Sequence, residues 1–263
     1  MTSETHGPEE RPLKKIIVNK IGMEFVLVPS GTFIMGTDDL VPDPADLGAV
    51  EAAVREQEKQ EKYTRYDTAP KHQVQVRAFY LGRTPVTQSQ WERVMGLNKA
   101  SFKGGRGFPM ETVTWYEARE FAGKLNEMMD TDAHRLPTEA EWEFACRAGS
   151  EGDYGFEGRT ARLDRYAWYA ATAGFRPRPV VQKRPNKFGL YDMHGLVWEW
   201  TSTLEKSYPY RADDGREDPA PLGARVVRGG SFKSDPYFLR CGFRDFHLPV
   251  HRDLDVGFRL AVS

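Results

Sequence analysis

The sequence predicts an α+β fold in which loops outweigh regular structure. Three features carry that expectation: three helix starts bearing the same cap, a set of short apolar runs of strand length, and a long aromatic-rich stretch with no periodicity. The chain of 263 residues is long enough for one large domain or two small ones.

The helix starts are the most explicit. Thr87 with Gln90, Thr114 with Glu117 and Thr138 with Glu141 each place Thr three residues before Gln or Glu. In that pattern the two side chains bond reciprocally to amides the first turn leaves open. The second helix sets Ala118, Phe121, Ala122 and Leu125 on one face. The third sets Trp142, Ala145 and Cys146 together and should stop at Gly149, so Cys146 is expected to be buried.

The strands are short. Residues 23–29 and 30–36 read as two strands around a Pro-Ser-Gly turn, and Gln73 to Tyr80 as another. Further strands are expected at 225–228, around 238–243 and at 256–262. Residues 1 to about 15, polar with Pro8 and Pro12, have the composition of a tail that does not pack. Residues 38–71, with a charged run from Val50 to Lys62, read as a surface insertion. Residues 150–224 hold many Trp, Tyr and Phe among Gly and Pro, the composition of loops that are packed and in need of a staple.

Charge narrows the function. Lys and Arg number 37 against 38 Asp and Glu, so no global field favours nucleic acid or an anionic membrane. No run has the length of a transmembrane helix and the N-terminus lacks an apolar core, so a cytoplasmic protein is expected. Only two cysteines are present, Cys146 and Cys241, outside any CxxC setting. From spacing alone a disulfide, two buried thiols and a reactive pair all stay open, and a reducing compartment favours thiols.

The most informative stretch is GLYDMHGLVWEW, from Gly189 to Trp200. Asp192 and Glu199, with the carbonyls of Gly195 and Val197, could supply an oxygen cage for calcium. The alternative is a pair of carboxylates solvated or paired with Arg. A second feature is the C-terminal run, where Phe232, Tyr237, Phe238, Phe246, His247, Val250 and His251 lie between or beside the framework pieces RGGS, LRCGFR and VGFRLA, with Arg244 closing the second of these as a further candidate contact. Apolar and aromatic loop residues mark recognition surfaces, so a protein or peptide ligand is expected there, although about half could fill the core of a loop-rich fold. His247 and His251 are four apart, but Pro249 disfavours the helix that would make them a chelating pair.

FVLVPSGTFIMGT, FYLGRTPVTQSQW, VTWYEAREFAGKLNE, RLPTEAEWEFACRAG, NKFGLYDMHGLVWEW, RVVRGGSF and VGFRLA, in that order, resemble the formylglycine-generating enzyme family, also called sulfatase-modifying factor. The resemblance runs from about Ile16 to Val262 and implies a C-type-lectin-like core. It also implies calcium on Asp192, Gly195, Val197 and Glu199. A second family calcium site is not expected, because Trp168 and Ala173 stand where it needs Asn and Asp. The family's copper(I) is held by two cysteines shortly after the GGS motif; here Gly229-Gly230-Ser231 leads into Phe232-Lys233-Ser234 with no cysteine. Copper-dependent formylglycine synthesis is therefore not expected. Ser231 and Trp198 match residues lining the family's pocket, and Cys146 and Cys241 match the two partners of a structural disulfide in the family, which implies a structural pair close in space. The layout is also similar to variable proteins of diversity-generating retroelements, which vary the last part of this fold. An oxidase or tailoring enzyme of altered chemistry is the alternative to a binding module.

Overall fold

A computed structural model describes residues 15–37, 68–157 and 160–263. The expected N-terminal tail and nearly all of the 38–71 insertion lie outside the described residues.

All three expected helices are present with both halves of the cap. Helix α1 spans Gln88–Met95, α2 Trp115–Met129 and α3 Glu139–Arg147. The Thr114 hydroxyl accepts the Glu117 amide at 3.1 Å while Glu117 accepts the Thr114 amide at 3.0 Å. Helix α3 ends one turn-residue earlier than Gly149 suggests, because Ala148 takes the left-handed conformation at φ 45°. A single turn, α4, covers Ala170–Ala173.

Among the described residues the strands form three sheets. The first has the order β1-β2-β5-β11-β6, from Ile16–Val18, Glu24–Val28, Phe79–Gly82, Ala261–Val262 and His134–Arg135. A two-stranded sheet pairs β3 (Gly31–Met35) with β4 (His72–Val76). The third has the order β10-β7-β8-β9, from Val256–Phe258, Trp198–Leu204, Arg225–Arg228 and Arg244–His247.

Several sequence expectations need correction here. The strands on either side of Pro29 do not pair with each other but enter different sheets, since β2 pairs with β1 and β5 while β3 pairs with β4. The runs at 73–80 and 256–262 each split in two for the same reason: a continuous apolar run passes from one sheet to the next. Residues 236–239 form a 3-10 turn, and the strand expected at 238–243 is instead Arg244–His247.

Two apolar clusters fill the interior among the described residues. One packs α1 and α2 on the third sheet, with Trp91 stacked on Phe121 at 5.6 Å and Phe258 edge-on to both. The other joins β2–β5 to α3 and contains Cys146 and Cys241. Five arginines, 216, 225, 228, 244 and 259, are also fully buried among the largest interior side chains. Each is held by carboxylates or carbonyls, as interior charges must be; Arg228 reaches Glu143 at 2.7 Å and Glu139 at 3.0 Å.

Candidate functional site

The loop before β7 is built from positive-φ backbone: Asp192 at 57°, Gly195 at 81° and Leu196 at 68°. Glycine is required at 195, where a Cβ would stand 2.2 Å from the Trp168 carbonyl oxygen. The curl turns Asp192 inward, leaving it 3% exposed. Its Oδ2 accepts the Val181 amide at 3.0 Å, and its Oδ1 has no hydrogen-bond partner among the described residues. Burial pushes the Asp192 carboxyl up to about 6, against the Val181 amide and the Arg259 charge, which pull it down.

Glu199 sits in β7, where Arg259 binds both its oxygens: Nε to Oε2 at 2.6 Å and Nη2 to Oε1 at 2.7 Å. Trp142 donates to Oε2 as well, at 2.6 Å. A carboxylate offers about four acceptor positions, so three donors leave one on Oε1. The Gly195 carbonyl accepts the Val197 amide at 3.0 Å and likewise retains capacity. The donor set is oxygen only, with one orphaned buried carboxylate oxygen, which fits a hard cation such as calcium and not a soft one. Arg259 already neutralises part of its charge.

Ser231 and Trp198 meet through a residue the sequence reading missed. The Ser231 hydroxyl donates to Asp255 Oδ2 at 2.7 Å, and the Asp255 carbonyl accepts the Trp198 amide at 2.8 Å. Lys233 lies 3.4 Å from Asp255 and 3.2 Å from Asp253. Burial holds the Asp255 carboxyl above its ordinary range. The available signal was the position of Asp255 directly before the strand that pairs with β7. Because Ser231 is fully buried and its proton is committed to Asp255, it forms a wall and not an exposed nucleophile.

The expected ligand-contacting residues divide. Phe232, Tyr237, Phe238 and Arg244 are buried, so as surface contacts they are corrected: they are interior. Tyr237, Phe238 and Phe243 form an aromatic cluster with centroids 5.0–5.4 Å apart, and Phe243 tilts against Trp198 at 6.0 Å. Phe246, His247 and His251 are half-buried, and Val250 is 67% exposed beside Leu248 at 62%. This tight turn, closed by the His251 amide on the Leu248 carbonyl at 2.8 Å, is pinned to α2 through the Trp115 amide on the Pro249 carbonyl at 3.1 Å. The neighbouring Tyr116 is 45% exposed. His247 and His251 stack with centroids 4.3 Å apart and planes 25° from parallel, so their ring nitrogens do not converge on one point.

Cys146 and Cys241 lie side by side as free, buried thiols, with sulfurs 3.2 Å apart. Trp168 and Ala173 carry no carboxylate; Lys183 places its ammonium 3.9 Å from the centre of the Trp168 ring instead. No helix among the described residues is long and apolar enough to cross a membrane.

Residues 17–263 match the sulfatase-modifying factor enzyme 1-like domain, and the chain belongs to that family. Among curated relatives it is 31% identical to the chaperone protein LppX of Paenibacillus barcinonensis, over 57% of this chain and 80% of that one. It is 27% identical to hercynine oxygenase of Mycolicibacterium smegmatis, covering 90% of this chain and 60% of the enzyme. It is 31% identical to the formylglycine-generating enzyme of Streptomyces coelicolor, covering 67% of this chain and 59% of the enzyme. The chain thus spans well under two thirds of the length of both enzymes. Among solved structures, Treponema denticola variable protein 1 superposes with a TM-score of 0.77 at 26% identity, covering 96% of this chain and 99% of that one. PvdO from Pseudomonas aeruginosa shares the fold, with a TM-score of 0.75 at 23% identity over 97% of this chain and all of that one.

Proposed function

We propose that the chain is a binding domain of this family that presents the turn Phe246–His251 to a protein or peptide, on a scaffold stapled by calcium at Asp192 and Glu199. The observation that carries the reading is the pinned turn. Leu248, Val250 and Tyr116 expose apolar side chains from backbone that is tied to a helix start, an arrangement that costs little conformational entropy on binding. Likeness to Treponema denticola variable protein 1 over nearly its whole length supports it. The orphaned Asp192 Oδ1 supports the calcium.

A second reading, an oxygen-dependent tailoring enzyme, is favoured by the likeness to hercynine oxygenase and by the Ser231–Asp255–Lys233 cluster joined to the Trp198 backbone through the Asp255 carbonyl. Copper held by the family's two thiolates is not part of it, because no cysteine stands between Gly229-Gly230-Ser231 and Leu239, where those ligands would fall.

One experiment separates the readings. Wild type and L248S/V250S are compared for crosslinked partners in native extract, with metal content and melting measured in calcium and in chelator. The binding reading expects partners lost in the variant, equal melting points, about one calcium per chain and a melting point that drops in chelator. Oxygen consumption stoichiometric with turnover of an added cysteine peptide or thiol substrate would replace it with the enzymatic reading.

A further inference from the structure

We infer that Cys146, His194 and Cys241 form a buried site for a thiophilic closed-shell cation, Zn2+ or Cu+. Their ligand atoms lie within 4.8 Å of one another, and all three residues are buried. They come from three separate parts of the fold: Cys146 from α3, His194 from the loop before β7, and Cys241 from the turn after Pro236–Leu239. A metal there would tie the loop-rich half of the chain to its helix.

The chemistry of the donors selects the cation. Two sulfurs and one imidazole suit Zn2+ or Cu+ and are poor ligands for calcium. The site is therefore distinct from the all-oxygen cage at Asp192 and Glu199.

The imidazole is held in the required tautomer. Nδ1 donates to the Leu239 carbonyl at 2.7 Å, which leaves the lone pair on Nε2; the Cys146 sulfur stands against the ring, 3.8 Å from Nε2 and 3.9 Å from Nδ1, so the ring must turn to aim that lone pair at a shared metal. A backbone carbonyl on the far nitrogen is the usual support of a metal-bound histidine. Nε2 now accepts the Gly155 amide at 3.1 Å, and a metal would take over that lone pair. Only glycine fits at 155, where a Cβ would lie 1.9 Å from the Cys146 carbonyl oxygen, so the wall there is backbone.

The spacing is close to what a metal needs. Metal–sulfur bonds of about 2.3 Å in tetrahedral geometry place two thiolates roughly 3.8 Å apart. The sulfurs at 3.2 Å must open by roughly half an ångström, and the Cys146–His194 pair must close by less. Binding is a proton exchange without redox change: each thiol loses its proton to solvent as its sulfur bonds the metal, so two protons leave for one cation. Two thiolates neutralise Zn2+ outright, while Cu+ leaves one negative charge.

The test uses the full chain, purified anaerobically with reductant. Zinc and copper are counted by mass spectrometry, and metal-free protein is titrated with Co2+ and, separately, with Cu+ against a chromogenic competitor. The expected result is one equivalent of zinc or copper and a near-ultraviolet thiolate-to-cobalt band, both absent in C146A/C241A. H194Q should bind at least about 10-fold more weakly, with circular dichroism confirming its fold. If the double variant fails to fold, protection of two thiols from a chromogenic disulfide reagent on adding metal to wild type reads out the same site. Reduced, folded wild type that binds neither Co2+ nor Cu+ to one equivalent would overturn the inference. So would intact masses showing the pair isolated as a disulfide without metal. Calcium should leave the cobalt band unchanged.

Discussion

Arg259 grips the carboxylate of Glu199 side-on through its Nε–Nη2 edge, with two charge-assisted bonds of 2.6 and 2.7 Å in a fully buried setting. The same guanidinium donates to the Gly82 carbonyl at 2.9 Å and the Tyr191 carbonyl at 3.0 Å. It therefore locks the end of β5 to the Asp192 loop. Removing one partner of such a pair strands a buried charge and costs about 3–5 kcal/mol. Arg259→Met should lower stability by that amount in urea unfolding, and R259M/E199M should recover part of the loss. If Arg259→Met costs under about 1 kcal/mol, Glu199 is balanced by another cation, and repeating the measurement in calcium and in chelator will show it.

The division of the C-terminal residues into core and surface makes opposite forecasts for neighbours in sequence. Phe238 is 8% exposed and packs edge-on to Tyr237 and Phe243. Truncating such a side chain costs about 3–5 kcal/mol, so Phe238→Ala should destabilise the whole domain and is unsuited to testing recognition. Val250→Ser, at a side chain 67% exposed, should stay within about 0.5 kcal/mol of wild type. Equal effects from the two changes in denaturant titrations would mean that the turn is packed and not presented.

The contrast shows why the sequence was legible in some places and not others. The three helix starts could be read because the capping box is local: Thr and Gln or Glu at fixed spacing determine each other's hydrogen bonds. The family motifs singled out Asp192, Glu199, Ser231 and Trp198 as candidates by resemblance, and the hydrogen bonds around them became visible only in the fold. Strand partners were opaque, since nothing in residues 23–36 says that two consecutive strands enter different sheets. Asp255 was missed because it acts through Ser231, 24 residues away. Phe238 looked like a recognition residue because a 3-10 turn and an interior strand have no apolar period to distinguish them from a loop.

The pH response of stability can be traced to His134. Its ring lies edge-on to Phe25 at 5.5 Å, and its Nδ1 meets Asn126 Oδ1 at 2.8 Å. Burial depresses its pKa below the ordinary value of 6.5. The unfolded chain thus takes up this proton first as pH falls, so the contribution is intact above about 6.5 and is lost on acidification towards the depressed folded value. His194, pushed down to about 4 by burial, has the same sign, whereas Asp255 and Glu217, raised by burial, have the opposite one. Those groups are common to wild type and His134→Gln and cancel in the comparison. The stability difference between the two proteins, followed by urea unfolding from pH 8 to pH 5, should stay level down to about 6.5 and then shift against wild type. Parallel curves across that range would mean that His134 titrates alike in the folded and unfolded chains, and that its burial does not govern its proton.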